Sequence, residues 1–593
     1  MRTHKYLSLI AFLAFGLTFT ACEESLPPLP AEEVNPTVSA TADAAAGDAY
    51  TDVQPTVIDS KNNVYGYITD KTTGKGIAGV PVTDGYHYTV TDKNGCYQFI
   101  ADSRARNIYY STPADYKIEV NSKQMPAFFS TSTLDLSSQT RIDFSLEKSD
   151  KDETNFTFVA ISDPQCKYTW HANRFRDETL PDFQSTFNNG TWRNIYGMTL
   201  GDIIFDVHTL WTTMQSLLGN ISINKDYGYM PIFNCIGNHD HNYNYVTTSD
   251  YASTVTYVKY FGPTDYSFNR GKAHIIVMDN VLAYGLATSG TTCLYNAGYT
   301  EEQLAWLKED LSYVKNKEDM LLIFAGHVPF RSGASSGGGN VNKPSHYADV
   351  LKLMTEFNEA HIMIGHTHRP TFYPHTGYRT KNGSPIFEHI HAAVCGGWWW
   401  SNLCTDGTPN GYAIYDVTGN TIKNYYSKAT GKSVANSQIR VYNGNEVYSD
   451  FTWHWGTTSW TQNETAYTAN NLKGKVIADV FYGDEDNWKV DLIYNGVTYP
   501  MTQVTQSQRD WNTYSFFINK CGRSLTNDSW MTQAYHYWVV DAPNGNPATL
   551  TNWKVVATHT IPTSGVQNVY STTTMQNGYF GYFYTDGTTT VNY

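Results

Sequence analysis

Five short polar segments of the chain each come directly after a run of apolar residues. They are Ser162–Gln165, Gly201–Asp202, Gly237–Asp240, Gly326–His327 and Gly365–His368. Loops at the carboxyl ends of the strands in an open α/β sheet converge on one crevice, so these segments can share a site. An isolated aspartate or histidine after a strand indicates little. Together, however, the segments supply carboxylate, amide and imidazole ligands that suit Mn, Fe or Zn, and they predict a site for two metal ions.

The apolar runs before these segments alternate with helical patterns, which is typical of an α/β layer architecture. We predict strands at residues 156–161, 198–204, 231–236, 274–278, 320–325 and 361–364. A helix is predicted at 208–218, and a capping box at Thr300–Gln303 begins another. The sequence therefore predicts an α/β domain over residues 153–430.

The five segments, in this order and over residues 155–395, resemble those of the calcineurin-like metallophosphoesterase superfamily. The resemblance implies an α/β sandwich that holds two divalent metal ions and hydrolyses phosphate esters. It assigns Asp202 to both ions. It assigns to the first ion Asp163, Gln165 and His368, and to the second Asn238, His327 and His366. His239 would face the substrate as a general acid or a phosphate-stabilising group, and Asp240 could orient it.

The expected chemistry follows from the charges of such a site. Two cations about 3.5–4 Å apart can bind both the attacking and the leaving oxygens of an in-line displacement. Asp163 and Asp202 contribute −2 against +4, so the site attracts an anionic ester. A water molecule between the cations loses a proton near neutral pH and becomes the nucleophile. His239, with an ordinary pKa of about 6.5, can protonate the leaving group of a small phosphomonoester, phosphodiester or diphosphate.

The first segment departs from the usual pattern of the superfamily, which is Asp-x-His. Gln165 stands at the position of the histidine, in an Asp-Pro-Gln form that a subset of the superfamily carries. A neutral carbonyl oxygen is a harder and weaker ligand than imidazole. We therefore expect the first ion to bind less tightly, or the site to select Mn or Mg over Zn, with Mn favoured. The alternative is that Gln165 points away and water takes its place.

Several other residues are candidates for contact with the substrate. His389 and His391 alternate on a predicted strand, so both face one side, towards the site or into polar packing. Trp398 and Trp399 follow two glycines and could contact an organic group of the substrate or pack between domains. Arg331 begins a Gly/Ser-rich loop over 331–340 that could be a lid with the arginine on a phosphate, or a solvated loop.

The amino terminus has the pattern of an export signal. Residues 1–22 combine Arg2 and Lys5 with an apolar stretch that is too short for a comfortable membrane span. The small residues before Cys22 resemble a bacterial lipobox, in which that cysteine is lipidated; ordinary cleavage is the alternative. We expect a protein of the bacterial cell envelope, anchored by lipid at the outer membrane or cell surface, or otherwise periplasmic or secreted. Residues 23–56 are rich in Pro, Ala and small polar residues and read as a flexible linker.

Two further β-rich regions flank the α/β domain. Residues 57–147 contain short apolar runs separated by Asp-Gly and Asn-Gly turns, which predicts a small antiparallel sandwich. Its pattern resembles transthyretin-like, carboxypeptidase-regulatory-like modules. Residues 431–593 predict a second β domain. The layout resembles a multidomain bacterial subfamily of the phosphoesterases, whose C-terminal segment would begin near residue 395.

Charge and cysteine content limit the other functions of the chain. Lys and Arg number 41 and Asp and Glu 55, and the net charge of −14 argues against a general nucleic-acid-binding surface. Membrane contact would come through the lipid anchor only. Cys395 and Cys404 lie on either side of a tight turn, and they could form a disulfide or remain two buried thiols. The alternative function is a surface-anchored glycan- or protein-binding lipoprotein with a degenerate phosphoesterase scaffold, against which the intact Asn238–Asp240 segment argues.

Overall fold

The computed structural model describes residues 56–131, 134–188, 192–224, 228–331, 346–445 and 472–504, and parts of 454–459 and 508–592. The predicted export signal, Cys22 and nearly all of the linker over 23–56 lie outside the described residues, as does the loop after Arg331. Among the described helices, none has the length and apolar character that a membrane crossing requires.

The amino-terminal region is a small β structure. Its strands are β1 (Val64–Asp70), β2 (Pro81–Thr83), β3 (Tyr88–Val90), β4 (Cys96–Phe99), β5 (Tyr109–Tyr110), β6 (Thr140–Arg141) and β7 (Phe144–Leu146). One sheet has the order β4-β1-β6, with β7 also paired to β1, and the other has the order β3-β2-β5. Tyr110 and Phe144 meet edge to face, with ring centroids 4.9 Å apart, and contribute to the apolar core of this region.

The central region contains two large sheets. Its strands are β8 (Asn155–Ile161), β9 (Ile195–Leu200), β10 (Ser222–Asn224), β11 (Gly228–Tyr229), β12 (Ile232–Cys235), β13 (Tyr266–Arg270), β14 (Ala273–Val277), β15 (Val281–Leu286), β16 (Cys293–Ala297), β17 (Leu321–Ala325), β18 (Glu359–Ile364), β19 (Thr371–Arg379), β20 (Pro385–Ile390), β21 (Gly411–Thr418) and β22 (Thr421–Ala429). The first sheet has the order β12-β9-β8-β21-β22 and the second β13-β14-β17-β18-β20-β19. The strands β8, β9 and β12 run parallel, as do β14, β17, β18 and β20.

Helices cover the outer faces of these two sheets. They are α1 (Thr169–Arg174), α2 (Leu180–Phe187), α3 (Trp211–Gly219), α4 (Asp250–Ser253), α5 (Val255–Phe261), α6 (Glu301–Ser312) and α7 (Tyr347–Met354). A π-helical turn at Phe175–Thr179 joins α1 to α2. The predicted capping box is present at the start of α6, where Thr300 and Gln303 exchange hydrogen bonds. Leu304, Leu307 and Leu311 on that helix are buried in the core.

The burial of the central strands explains their sequence pattern. Every residue of β9, β12, β14, β17 and β18 is buried, because parallel strands covered on both faces carry apolar residues continuously. One face of β8 packs with residues of the second sheet, and the other packs with α1, α2 and α3. The predicted α/β sandwich with flanking β-rich regions is confirmed.

The carboxyl-terminal region is rich in strands. They are β23 (Ile439–Asn443), β24 (His454–Trp455), β25 (Thr458–Ser459), β26 (Lys475–Val480), β27 (Trp488–Tyr494), β28 (Val497–Pro500), β29 (Thr502–Gln503), β30 (Gln508–Arg509), β31 (Gln533–Ala534), β32 (Tyr537–Asp541), β33 (Trp553–Thr560), β34 (Gln567–Thr572), β35 (Met575–Gln576), β36 (Tyr582–Tyr584) and β37 (Thr590–Asn592). Two sheets, β29-β32-β26-β23-β35 and β28-β27-β33-β34, share one apolar core. At the border with the central region, buried His536 contacts Asp479 through Nδ1 and lies 3.0 Å from Asp406 through Nε2.

Of the two alternatives for Cys395 and Cys404, a disulfide or two buried thiols, the structure has the second. Both side chains are buried free thiols. The Cys404 Sγ–H donates to the carbonyl of Ala393, with the two atoms 3.6 Å apart. The Cys395 Sγ lies 3.9 Å from Nδ1 of His368, beside one of the predicted metal ligands. The turn therefore depends on packing and backbone hydrogen bonds, which the spacing of the two cysteines does not reveal.

Candidate metal centre

The five predicted segments begin within two residues of the ends of β8, β9, β12, β17 and β18, and they meet at one edge of the two sheets. Their backbone is held in an unusual conformation there. The residues other than glycine that have positive φ in these segments are Asp163 (48°), Gln165 (41°), Asp202 (49°), His366 (71°) and His368 (58°). Left-handed backbone is costly for residues other than glycine and persists only where the surrounding structure enforces it. Its concentration in the predicted ligands indicates a functional site.

Two glycines allow the segments to approach one another closely. A Cβ atom on Gly237 would lie 2.1 Å from the backbone nitrogen of Asp202. A Cβ atom on Gly201, which has a φ of +85°, would lie 2.4 Å from Nδ1 of His327. Only glycine fits at either position, because a side chain would push a ligand-bearing loop away from its neighbour.

The carboxylate and imidazole atoms form two overlapping groups. One contains Asp202, His327 and His366, the other Asp163, Asp202 and His368, and in each group the ligand atoms all lie within 4.8 Å of one another. The Nε2 atom of His327 lies 3.3 Å from Oδ1 of Asp202 and 3.2 Å from Nδ1 of His366. The Nε2 atom of His368 lies 3.4 Å from Oδ1 of Asp163. Asp202 belongs to both groups, which is the position expected of a bridging ligand.

The two predicted amide ligands also point into this cluster. The Oδ1 atom of Asn238 lies 3.0 Å from Nε2 of His327. Gln165 donates from Nε2 to Oδ2 of Asp202 over 2.9 Å, so its side chain points inwards. Its Oε1 atom is buried and accepts no hydrogen bond from the described residues. A buried oxygen without a donor is costly and fits a cation as its partner, so these residues suit two divalent ions.

Electrostatics keep two of the groups, Asp202 and His366, in forms that bind metal. Burial alone would raise the pKa of Asp202, but the rings of His327 and His239 beside it lower that pKa below its usual value. Burial and the nearby ring of His327 lower the pKa of His366 to about 3. An ionised carboxylate and a neutral imidazole are the states in which these side chains bind metal ions.

Comparison with known families agrees with this geometry. The family described as calcineurin-like phosphoesterase matches residues 156–370. The descriptions of the N-terminal and C-terminal parts of calcineurin-like phosphoesterases match residues 62–149 and 388–562, so the three matches together cover most of the chain. The chain belongs to the calcineurin-like phosphoesterases. The resemblance predicted from the five ordered segments is confirmed, and it extends to both flanking β-rich regions.

Comparisons with individual proteins add little to this family assignment. The NAD nucleotidase (NadN) of Haemophilus influenzae is similar over 53% of this chain and 55% of its own, so the match spans about half of that protein. The sequence identity is 11% and the TM-score is 0.26. A search among curated proteins finds no match.

His239 lies beside the predicted ligands without joining either group. Its backbone N–H donates to Oδ1 of Asp202 over 2.9 Å, and its Nδ1 atom lies 3.0 Å from Oδ1 of Asp206. Its ring stacks on Phe205, with centroids 4.1 Å apart. Burial alone would lower the pKa of His239, but the carboxylates of Asp206 and Asp202 raise it to about 9. The ring can therefore carry a proton next to the metal centre.

The prediction that Asp240 orients His239 is wrong. The Asp240 carboxylate is fully buried and accepts the backbone N–H groups of Ile203, Ile204 and Gly237 at 3.1, 3.0 and 2.9 Å. It turns back under its own loop, because three backbone donors surround it there, and it ties that loop to the one after β9. Asp206 holds His239 instead. The only sequence signal was a second aspartate four residues after Asp202.

The hairpin of β15 and β16 supports both halves of the site. The hydroxyl of Tyr295 lies 3.2 Å from Nε2 of His366, the nitrogen that faces away from His327. The hydroxyl of Thr292 donates to Oδ2 of Asp206 over 2.9 Å. Metal-binding histidines usually have such a partner on the second ring nitrogen, which fixes the tautomer. No motif in the sequence marks this hairpin, because its two contacts join residues far apart in the chain.

The predicted substrate-contact residues lie in different environments. Both histidines are buried. The Nε2 atom of His389 lies 2.9 Å from Nδ1 of His361, and the Nε2 atom of His391 lies 2.7 Å from the hydroxyl of Tyr415. These contacts favour the second alternative, polar packing. Arg331 rests on the ring of Tyr373, 4.7 Å from its centroid. Trp399 is buried and donates from Nε1 to the carbonyl of Pro164 over 2.6 Å. Trp398 lies beside a predicted ligand, with its ring 5.2 Å from that of His368.

Proposed function

We propose that the protein is a hydrolase that cleaves a small phosphate ester with two divalent metal ions, Mn being favoured. The observation that carries this proposal is the pair of ligand groups that share Asp202 at the edge of the sheets. A degenerate scaffold would lack some of these side chains, yet both groups are complete. Membership of the calcineurin-like phosphoesterases supports the same reaction class. Phosphomonoesters, phosphodiesters and diphosphates all fit a site of this charge.

Each ligand has a separate position in the proposed site. Asp163, Gln165 and His368 would hold one ion and Asn238, His327 and His366 the other, with Asp202 between them. The bound ions would supply the Lewis acidity that activates water and neutralises charge on the phosphoryl group. The buried amide oxygen of Gln165 is neutral. The first ion would therefore have an amide ligand where the usual Asp-x-His pattern supplies a more basic imidazole.

His239 supplies the proton in this proposal. Its Nδ1 side is held by Asp206 over 3.0 Å, which leaves Nε2 as the atom that can reach the leaving-group oxygen. A carboxylate partner stabilises the protonated ring, and a protonated ring can donate to an oxygen that would otherwise leave as a high-energy anion. Asp206 therefore orients the ring and keeps it charged.

We also propose that the protein acts outside the cytoplasm as a lipoprotein. The support is the export-signal pattern of residues 1–22 and the cysteine at its end. Incorporation of a labelled fatty acid that disappears in Cys22→Ala tests the anchor. Incorporation in the variant, or none in the unaltered protein, would contradict it.

The decisive experiment compares metal content with turnover in the full chain. Asp202→Asn should lose bound Mn, measured by mass spectrometry, and should lose hydrolysis of 4-nitrophenyl phosphate and bis(4-nitrophenyl) phosphate. Asp319→Asn is the matched control, because the Asp319 side chain is 58% exposed and contacts Lys272 instead of the ligands. Metal content and turnover in Asp202→Asn equal to those of the control would refute the assignment of the bridging ligand.

A further inference from the structure

Six exposed or partly exposed aromatic side chains from three distant segments are here called the aromatic wall. They are Tyr168, Trp170, Trp398, Trp400, Phe583 and Tyr584. Five of them are joined by ring contacts, and Trp398 precedes one of these, Trp400, by two residues in the same turn. Tyr168 stacks on Trp170 with an angle of 9° between the rings. Trp170 meets Trp400 at a centroid distance of 5.0 Å and Tyr584 at 5.7 Å. The wall therefore joins the start of α1, the turn after β20 and the hairpin near the carboxyl terminus.

One member of the aromatic wall, Trp398, lies beside the candidate metal centre. The ring of Trp398 lies 5.2 Å from the ring of His368, a predicted ligand. Trp398 and Trp399 both have positive φ, at 49° and 67°, and bulky residues adopt this backbone only at a cost. The conformation sends Trp399 into the core and leaves Trp398 and Trp400 on the surface. The strained turn thus continues the metal site with an aromatic surface.

The carboxyl-terminal hairpin of β36 and β37 is held firmly against the central region. The backbone N–H of Tyr584 donates to the carbonyl of Trp400 over 2.9 Å. Buried Arg174 lies under the rings of Tyr582 and Tyr584, 4.7 and 4.2 Å from their centroids. The same guanidinium forms two hydrogen bonds to Glu178, at 2.6 and 2.8 Å. The docked hairpin contributes Tyr584 and Phe583 to the wall, and the ring of Phe583 lies 6.1 Å from that of Trp400.

The exposure of the wall distinguishes it from ordinary packing. Trp399, which does pack, has no exposed surface, while Tyr168 is 38% exposed and the other five members are partly exposed. Aromatic surfaces bind flat apolar rings, since both faces of such a ring can stack and little conformational entropy is lost. An ester whose phosphate lies on the metal ions would place its organic group within reach of Trp398.

We propose that the aromatic wall binds the ring of the leaving group, so that the substrate is a phosphate ester of a flat ring-bearing alcohol. This inference rests on the proposed phosphoesterase function and adds a substrate class to it. The ring could be an aryl group, a nucleobase or the apolar face of a sugar, which share this chemistry. The carboxyl-terminal region acquires a role as well, because its last hairpin completes the surface that selects the substrate.

The test compares esters that differ only in the ring. We would measure kcat/KM on the Mn-loaded full chain for phenyl phosphate, a nucleoside monophosphate, a sugar phosphate and methyl phosphate. For each of the first three esters, the ring preference is the ratio of its kcat/KM to that of methyl phosphate. Trp398→Ala should lower the ratio for the preferred ring about tenfold, the size expected for loss of one stacking contact. Trp398→Phe should keep most of the ratio. Trp553→Ala, which removes another partly exposed tryptophan far along the chain, is the control and should leave the ratio unchanged.

A binding measurement separates this inference from the proposed function. Calorimetry with phenol, a nucleoside and a methyl glycoside should show binding of one ring class that Trp398→Ala weakens about tenfold, without any need for turnover. If the protein hydrolyses all the esters, the kcat/KM ratio does not change in Trp398→Ala and no ring compound binds, then the proposed role of the aromatic wall is refuted while the proposed phosphoesterase function stands. Ring binding without hydrolysis of any ester would overturn the assignment to a leaving group.

Discussion

Replacing Asp206 with asparagine isolates the contribution of His239 to the proposed reaction. The Asp206 carboxylate lies 3.0 Å from Nδ1 of His239 and accepts the hydroxyl of Thr292 over 2.9 Å. Asparagine has the same shape, so both contacts can remain while the charge is lost. Asp206 belongs to neither ligand group, so the metal ions should stay bound.

The size of the effect follows from the hydrogen bond that is weakened. A hydrogen bond to a charged group contributes about 1.5–3 kcal/mol. At about 1.36 kcal/mol for each tenfold change in rate, kcat/KM should fall about tenfold to about 150-fold for an ester with a poor leaving group. For 4-nitrophenyl phosphate the loss should be only a few-fold, because 4-nitrophenolate leaves without needing a proton.

The assay is a series of phosphate esters whose alcohols span a wide range of acidity. The plot of log kcat/KM against the pKa of the alcohol should be steeper for Asp206→Asn than for the unaltered protein, and as steep as for His239→Ala. The double variant should lose no more than His239→Ala alone, because the two residues act as one unit. Asp177→Asn, at a side chain that is 60% exposed, is the control. Equal losses across the whole series, or loss of Mn, would refute the pairing of Asp206 with a proton donor.

Three further changes test other contacts of the structure. Tyr295→Phe should weaken Mn binding about 10–100-fold, because Nε2 of His366 loses its hydrogen-bond partner. Tyr284→Phe, at an exposed position on the same hairpin, is the control and should leave Mn affinity unchanged. Equal Mn titration curves for the two variants would contradict this prediction. Gln165→His should raise zinc occupancy in competition with manganese, and unchanged occupancy would mean that the side chain does not bind metal. Burial alone would lower the pKa of His536, but the carboxylates of Asp479 and Asp406 raise it to about 10, so the stabilisation from its protonated ring is complete below pH about 6.5 and is lost as pH rises towards 10. Urea unfolding of His536→Gln should lack that decline, and parallel curves would contradict it.

The ligand set could be predicted because its residues follow strands in a fixed order. Apolar runs before Asp163, Asp202 and His327 mark buried strands, and parallel strands bring their carboxyl ends to one edge. Local sequence and this one rule of topology predicted that the segments share a site, whereas the assignment of each residue to one ion came from the resemblance to the calcineurin-like metallophosphoesterases. The structure accordingly places the predicted ligands together, with Gln165 turned inwards.

The supporting residues could not be predicted in the same way. Asp206, Thr292 and Tyr295 reach the site through contacts across 33 to 86 residues of chain, and threonine and tyrosine are common in strands for other reasons. The error at Asp240 has a related cause. Adjacency to His239 in sequence suggested a partner, but consecutive side chains in a tight loop point in different directions, and Asp240 binds backbone N–H groups instead.

Backbone strain separates the part of the molecule that stabilises the fold from the part proposed to act on substrate. Within the part of the chain that the structure describes, fifteen non-glycine residues have positive φ, and eight of them lie among the predicted ligands, at Asp206 or at the turn of Trp398 and Trp399. The strands that precede these loops are buried along their length, and their packing can offset the cost of a strained edge. The strain continues from the ligands into the turn that presents Trp398. The predicted ligands and the turn of Trp398 and Trp399 thus share a costly backbone conformation, which supports the proposal that the metal centre and the aromatic wall are parts of a single site.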